Sequence, residues 1–135
     1  MPRLRVERIY GPAKREIYKQ LGAFNKRACG NDYQPLAITL RQGDEIVGGL
    51  IGETYWGWLH INSLWITEKL RRKNLGKALI EKAEAEARKR GVRNVFLDSF
   101  TFQAPDFYMK LGYREFGRLK EFPAGHERIW LTKAL

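Results

Sequence analysis

Two periods of apolar residues alternate along the chain, and the switches between them mark its elements. Arg3–Tyr10 sets Leu4, Val6 and Tyr10 against Arg3, Arg5 and Glu7, which predicts a first strand ended by Gly11-Pro12. Ala13–Cys29 then carries Ile17, Leu21 and Phe24 at helical spacing and closes near Gly30-Asn31-Asp32. Leu36–Arg41, Glu45–Thr54 and Trp58–Thr67 read as three strands joined by Gly43-Asp44 and Trp56-Gly57. Gly48, Gly49 and Gly52 inside the second of these predict a bulge or a close backbone approach.

The clearest helix is Leu75–Arg90. Leu75, Ala78, Leu79, Ala83 and Ala87 make a narrow stripe whose small alanines let a helix lie close on a sheet. Glu84 and Arg88, and Glu86 and Arg90, stand at i,i+4, and Gly91 follows as the terminating glycine. Arg93–Ser99 predicts a strand, Ala104–Leu111 a short helix, and Tyr113–Leu119 and His126–Lys133 the last strands. The order β-α-β-β-β-α-β-α-β-β predicts an α/β fold: a mixed sheet of about seven strands flanked by helices, parallel where a helix crosses over. At 135 residues without a repeat or linker, the expectation is a single domain, 1–135.

Composition narrows the function classes. No segment reads as a secretory leader or as the roughly 20 apolar residues of a membrane span, which predicts no membrane partner. The lone Cys29 leaves no internal disulfide, so a cytoplasmic protein is expected. Two histidines and one cysteine without ligand spacing predict no metal. The formal charge is +10, which favours anionic partners. Its distribution says more: Lys69, Arg71, Arg72, Lys73 and Lys77 fall within nine residues that hold no acid. A solvated helix face explains the basic residues after Lys77, but not this cluster.

The cluster lies in Leu64-Trp65-Ile66-Thr67-Glu68-Lys69-Leu70-Arg71-Arg72-Lys73-Asn74-Leu75-Gly76-Lys77, where an apolar strand ends, a basic loop follows and a helix begins. Free N–H groups at a helix start carry partial positive charge and can cradle a phosphate. Gly76 permits close approach of the backbone, and Arg71, Arg72, Lys73 and Lys77 surround the same point. This pattern predicts a pyrophosphate site, although neither Gly-x-x-x-x-Gly-Lys-Ser/Thr nor Gly-x-Gly-x-x-Gly is present.

Arg71-Arg72-Lys73-Asn74-Leu75-Gly76 resembles the acetyl-CoA motif Gln/Arg-x-x-Gly-x-Gly/Ala of the GNAT acetyltransferase superfamily, with Asn74 in place of the first glycine. Asn tolerates the left-handed conformation better than most residues, so the loop can keep its shape. Ala104-Pro105-Asp106-Phe107-Tyr108-Met109-Lys110-Leu111-Gly112-Tyr113 resembles the family's Ala-x-x-Phe-Tyr-x-x-Leu-Gly-Phe/Tyr block. The element order matches as well, so the likeness covers nearly the whole chain. The resemblance implies a GNAT-like sheet and an N-acetyltransferase that moves acetyl from acetyl-CoA to a primary amine by direct attack in a ternary complex. Leu64, Trp65, Ile66, the Arg71–Lys77 loop, Thr101 and Ala104 would hold the cofactor; Thr101 stands where the family often has Asn.

Such a transfer must deprotonate the amine, polarise the carbonyl and stabilise the departing thiolate, and it needs no covalent nucleophile. The resemblance assigns Tyr108 as the acid at the thiolate; the alternative is a ring packed beside Phe107 and Leu111. His60, four residues before Leu64, takes the place where family members carry a Glu or His base, and neutral imidazole can accept a proton near pH 7. Glu53 on the neighbouring strand is a second base candidate, and a water relay a third. Trp56, Trp58 and Trp65 are either core or an aromatic wall for the acceptor or the pantetheine arm. A nucleic-acid-binding module is the rival from another class, but no zinc finger or RNP1-like string supports it. A CoA-binding sensor without turnover is the third reading. The acceptor's identity and a homodimer, common in the family, stay open.

Overall fold

The computed structural model describes residues 1–135, whose contacts group into two compact units, Met1–Asp32 and Tyr33–Leu135. The first unit is built on α1 (Tyr10–Cys29). The helix opens at Tyr10, so Gly11 and Pro12 belong to its first turn instead of breaking a strand. Pro12 is tolerated there because an N–H in the first turn has no intrahelical acceptor. Lys26 and Arg27 in the last turn complement the helix dipole, and the Gly30 N–H donates to Lys26 O at 2.8 Å. No residue of α1 is buried; Ile17, Leu21 and Phe24 are exposed, as is Cys29 at its end.

Residues before Tyr10 form no strand, so the sheet has six strands and not seven. The alternation there rests on Leu4 and Val6, both fully exposed. An alternating pattern makes a strand only when a neighbouring strand takes up its backbone groups, and none pairs with this segment. No helix is long and apolar enough to cross a membrane.

The second unit holds β1 (Gln34–Gln42), β2 (Glu45–Tyr55), β3 (Trp58–Ile66), α2 (Leu75–Lys89), β4 (Asn94–Phe100), α3 (Pro105–Lys110), β5 (Arg114–Lys120) and β6 (Glu127–Ala134). The sheet order is β1-β2-β3-β4-β6-β5, antiparallel except for β3 and β4, which α2 connects. Leu50, Leu59, Val95, Leu97 and Leu131 bury one face of the sheet under Leu79, Ile80, Ala83 and Ala87 of α2. Ala78 stays exposed, so the buried stripe is turned slightly from the expected one towards Ile80 and Glu84. Phe107, Tyr108 and Leu111 of α3 pack against the same core.

Charged side chains of α2 and of its C-cap, Arg90, tie this layer together. Glu86 pairs with Arg90 as expected, and the Arg90 guanidinium reaches on to Gln34 O, Pro35 O and Thr54 Oγ1, fixing the start of β1. Glu84 is not engaged with Arg88 as a surface pair. It is 4% exposed and accepts from Tyr113 Oη at 2.8 Å and from Lys133 Nζ at 3.0 Å. Lys133 also donates to Leu111 O at 2.8 Å, so one clasp joins α2, β6 and the α3–β5 turn. Burial, then the Glu84 carboxylate, pushes the Tyr113 phenol far up, and it remains a donor.

Removing one partner from a buried ion pair strands the other, at a cost of about 3 kcal/mol or more. Glu84→Ala should therefore lower the urea midpoint by about that much stability. Tyr113→Phe should cost only about 1 kcal/mol, one hydrogen bond. Equilibrium unfolding followed by circular dichroism checks both.

Candidate active site

The parallel ladder between β3 and β4 stops at Ile61 opposite Leu97, although β3 runs on to Ile66 and β4 to Phe100. A bulge explains the parting. Ile51 pairs with Ser63 and Gly52 with Ile61, which leaves Asn62 as the extra residue on β3. Gly52 is required beside it, since a Cβ there would collide with the His60 carbonyl oxygen. Beyond the bulge the strands diverge around a cavity of about 560 Å³.

One wall of the cavity is Ile61–Ile66, and the other is Leu97, Asp98 and Ser99. Gln103, Ala104, Phe107 and Tyr108 close the side, and Arg71 stands at the strand end. The Ser99 hydroxyl is buried without a hydrogen-bond partner in this wall, a donor and acceptor available to a ligand. Of the expected cofactor residues, Leu64, Trp65, Ile66, Arg71 and Ala104 line the cavity.

The basic loop leads out of it through a 3₁₀ turn at Glu68–Leu70. Arg71 Nε donates to Ile66 O at 2.9 Å, which pins the start of the loop to the end of β3. Arg72 and Asn74 both take left-handed backbone angles, with φ of 63° and 62°, and Asn74 is the N-cap of α2. Asn thus fills the position where the motif has glycine, in the conformation that favours glycine. Arg72, Lys73 and Asn74 are exposed, and Leu75 and Gly76 are half-buried in the first turn of α2. Lys77 is exposed and 3.9 Å from Glu81. Gly76 approaches another side chain closely: a Cβ would stand 3.1 Å from the Phe107 ring, so its absence lets α3 dock on the first turn of α2.

Tyr108 lies against this junction, edge-on to Phe107 at 5.0 Å and to Tyr113 at 6.1 Å between ring centroids. Burial, reinforced by the negative Asp98, pushes its phenol up to about 12, which keeps it protonated and able to donate. Thr101 is turned elsewhere: its hydroxyl accepts from the Glu127 N–H at 3.0 Å and lies 3.3 Å from His126 Nδ1.

His60 and Glu53 are not in the cavity wall but on the other face of the sheet, one residue from Ile61. They are directly opposite in the β2–β3 register, with His60 Nδ1 2.8 Å from Glu53 Oε1. A carboxylate only accepts, so Nδ1 carries the hydrogen, and in the neutral ring it is Nε2 that holds the free lone pair. The imidazole is stacked on Phe96 at 4.6 Å and 12°. The two base candidates are thereby one hydrogen-bonded pair.

The sequence reading passed over Asn62, Ser63, Asp98, Ser99 and Gln103 as cavity residues. Ser99 carried a signal. In the alternation Val95, Leu97, Ser99, a hydroxyl occupies a core-facing position.

Comparison with known proteins places this architecture. The model of the acetyltransferase (GNAT) family matches residues 3–113. Acetyltransferase Atu2258 of Agrobacterium fabrum is 34% identical over 123 residues, 90% of each chain. Blasticidin-S acetyltransferase of Streptomyces morookaense is 39% identical over 92 residues, covering 67% of this chain and 68% of that one. The crystal structure of an acetyltransferase from Bacillus cereus superposes with a TM-score of 0.85 at 31% identity over 98% of both chains. The family match spans most of the chain and includes both the basic loop and the Phe107-Tyr108 helix, so this protein belongs to the GNAT family and is an acyltransferase.

Proposed function

We propose that the protein transfers acetyl from acetyl-CoA to a primary amine by direct attack within a ternary complex. The observation that carries this reading is the cavity opened where β3 leaves β4, with Arg71 at one end and Tyr108 in its side wall. A phosphate-bearing thioester suits such a slot. Its phosphates meet the basic loop and the free N–H groups of α2, and its amide-containing arm runs between unpaired strand edges past the Ser99 hydroxyl. Leu64, Trp65, Ile66 and Ala104 line the arm, with Arg71, Arg72, Lys73 and Lys77 as the charged set. Thr101 acts from behind, holding the turn that follows β4.

In the reaction, the amine nitrogen attacks the thioester carbonyl carbon; the N–C bond forms and the C–S bond breaks. His60 Nε2 takes the amine proton, and Glu53 holds the ring in the tautomer that can do so. Tyr108 gives its proton to the departing thiolate and recovers one from solvent. The raised phenol is protonated at neutral pH, so its O–H is available to hydrogen-bond the sulfur as negative charge develops there, and the proton passes only as that charge builds.

Following free thiol with acetyl-CoA and a panel of amines is the primary experiment; no thiol release with any amine, despite acetyl-CoA binding, would leave the protein a sensor. Tyr108→Phe should lower the rate plateau by about 10²-fold with the acetyl-CoA dissociation constant unchanged. Because the phenol titrates only near pH 12, no alkaline limb below that pH should belong to it. Replacing both Arg71 and Arg72 by Ala should weaken CoA at least tenfold while hardly changing the affinity for dephosphorylated pantetheine, which calorimetry separates. For the histidine–carboxylate pair, Glu53→Gln should lower kcat about tenfold, and His60→Ala should move the acidic limb of the pH–rate profile upward. The double variant should be no slower than His60→Ala alone, the non-additivity expected when Glu53 acts only through the imidazole.

A further inference from the structure

We propose that the aromatic pocket on the face of the sheet opposite α2 is the acceptor site and that it takes an amine carried on a flat, unsaturated ring system; the proposal rests on the acetyl-transfer reading above. The pocket, about 510 Å³, is lined by Tyr55, Trp56, Trp58, Phe96, Phe116 and Thr132. This is the size of site that holds a small organic molecule.

Position is the first argument. The strand register sets Glu53, His60, Phe96 and Thr132 side by side across β2, β3, β4 and β6. Tyr55 and Trp58 pair in the next row on one side of this line. On its other side, past Ile61 and Leu97, the strands part around the cofactor cavity. The His60–Glu53 pair therefore stands between the aromatic pocket and the thioester slot. Phe96 is shared, stacked on His60 and edge-on to Trp58 at 5.9 Å. A ring seated in the pocket with a short aminomethyl arm presents its nitrogen to His60 Nε2.

Chemistry gives the class of acceptor. The single aliphatic polar side chain in the lining, Thr132, spends its hydroxyl donating to Val95 O at 2.9 Å. The other side-chain polar atoms of the lining are the Tyr55 phenol and the indole N–H groups of Trp56 and Trp58, so the walls are mostly ring faces and edges. A sugar or aminocyclitol body would find fewer partners there than it has hydroxyl groups, and an open-chain polyamine would leave the ring faces unfilled. A flat ring gains contact with the aromatic side chains of the lining, and the negative charge is at the amine end, on Glu53.

The test uses 2-naphthylmethylamine, its saturated cyclohexylmethylamine counterpart and spermidine, each with the intact protein. Binding is followed by calorimetry and turnover by thiol release. The naphthyl amine should bind at least tenfold tighter than the other two. Phe116→Ala, on the exposed edge strand, should raise its KM about tenfold without changing the acetyl-CoA KM, and should raise the KM for spermidine far less. Trp58→Leu should act in the same direction. Naphthyl amine binding that Phe116→Ala abolishes, without acetyl transfer, would support the pocket while defeating the transfer reading. Acetylation of spermidine with no preference for the flat ring would overturn the pocket and leave the transfer reading standing. A change in sedimenting mass on Phe116→Ala, with every KM unmoved, would also overturn it, because a second copy would then be covering this face.

Discussion

The site depends on one interruption, the end of the β3–β4 ladder at Ile61 and Leu97. A parallel pair in a mixed sheet is normally buried and continuous, because unpaired backbone groups are costly. Here the extra residue Asn62 bends β3 away, and the edges left open face a cavity instead of each other. The clasp of Glu84 with Tyr113 and Lys133 and the reach of Arg90 to β1 hold both halves of the sheet under α2. Divergence at one place is thus compatible with a packed core, because these side chains tie α2 to strands on both sides of the gap.

Much of this was legible in residue order, and the exceptions have physical causes. The helix Leu75–Lys89 and every strand from β1 to β6 were readable because each has either a clean period or glycine punctuation at both ends. Arg3–Tyr10 misled because period two describes a side-chain pattern, whereas a strand also requires a neighbour. Pro12 misled because the residue that ends a helix interior also suits its first turn. Glu84 was matched with Arg88 from their i,i+4 spacing. Its burial is decided by Lys133, 49 positions away, which no local window contains.

The candidate site shows the same division. The loop and Tyr108 were found through contiguous motifs, and the left-handed Asn74 matches what its side chain permits. Glu53 and His60 were weighed as competitors because they lie on different strands; register makes them neighbours and gives them complementary tasks. Asp98 escaped notice because a cavity wall is made of whatever the parted strands expose; Ser99 had only the signal of a hydroxyl at a core-facing step of β4.

The contact between Gly76 and Phe107 has a consequence for substitutions at either position. Two segments about thirty residues apart are shaped as a lock and its key: the missing Cβ of one is the seat of the other's ring. A side chain at 76 requires the Phe107 ring to give by a few tenths of an ångström, which shifts the α3 wall of the cavity relative to the phosphate loop. The phosphate loop and the acid-bearing helix thus share one steric seat, so a substitution made at either position is felt at the other.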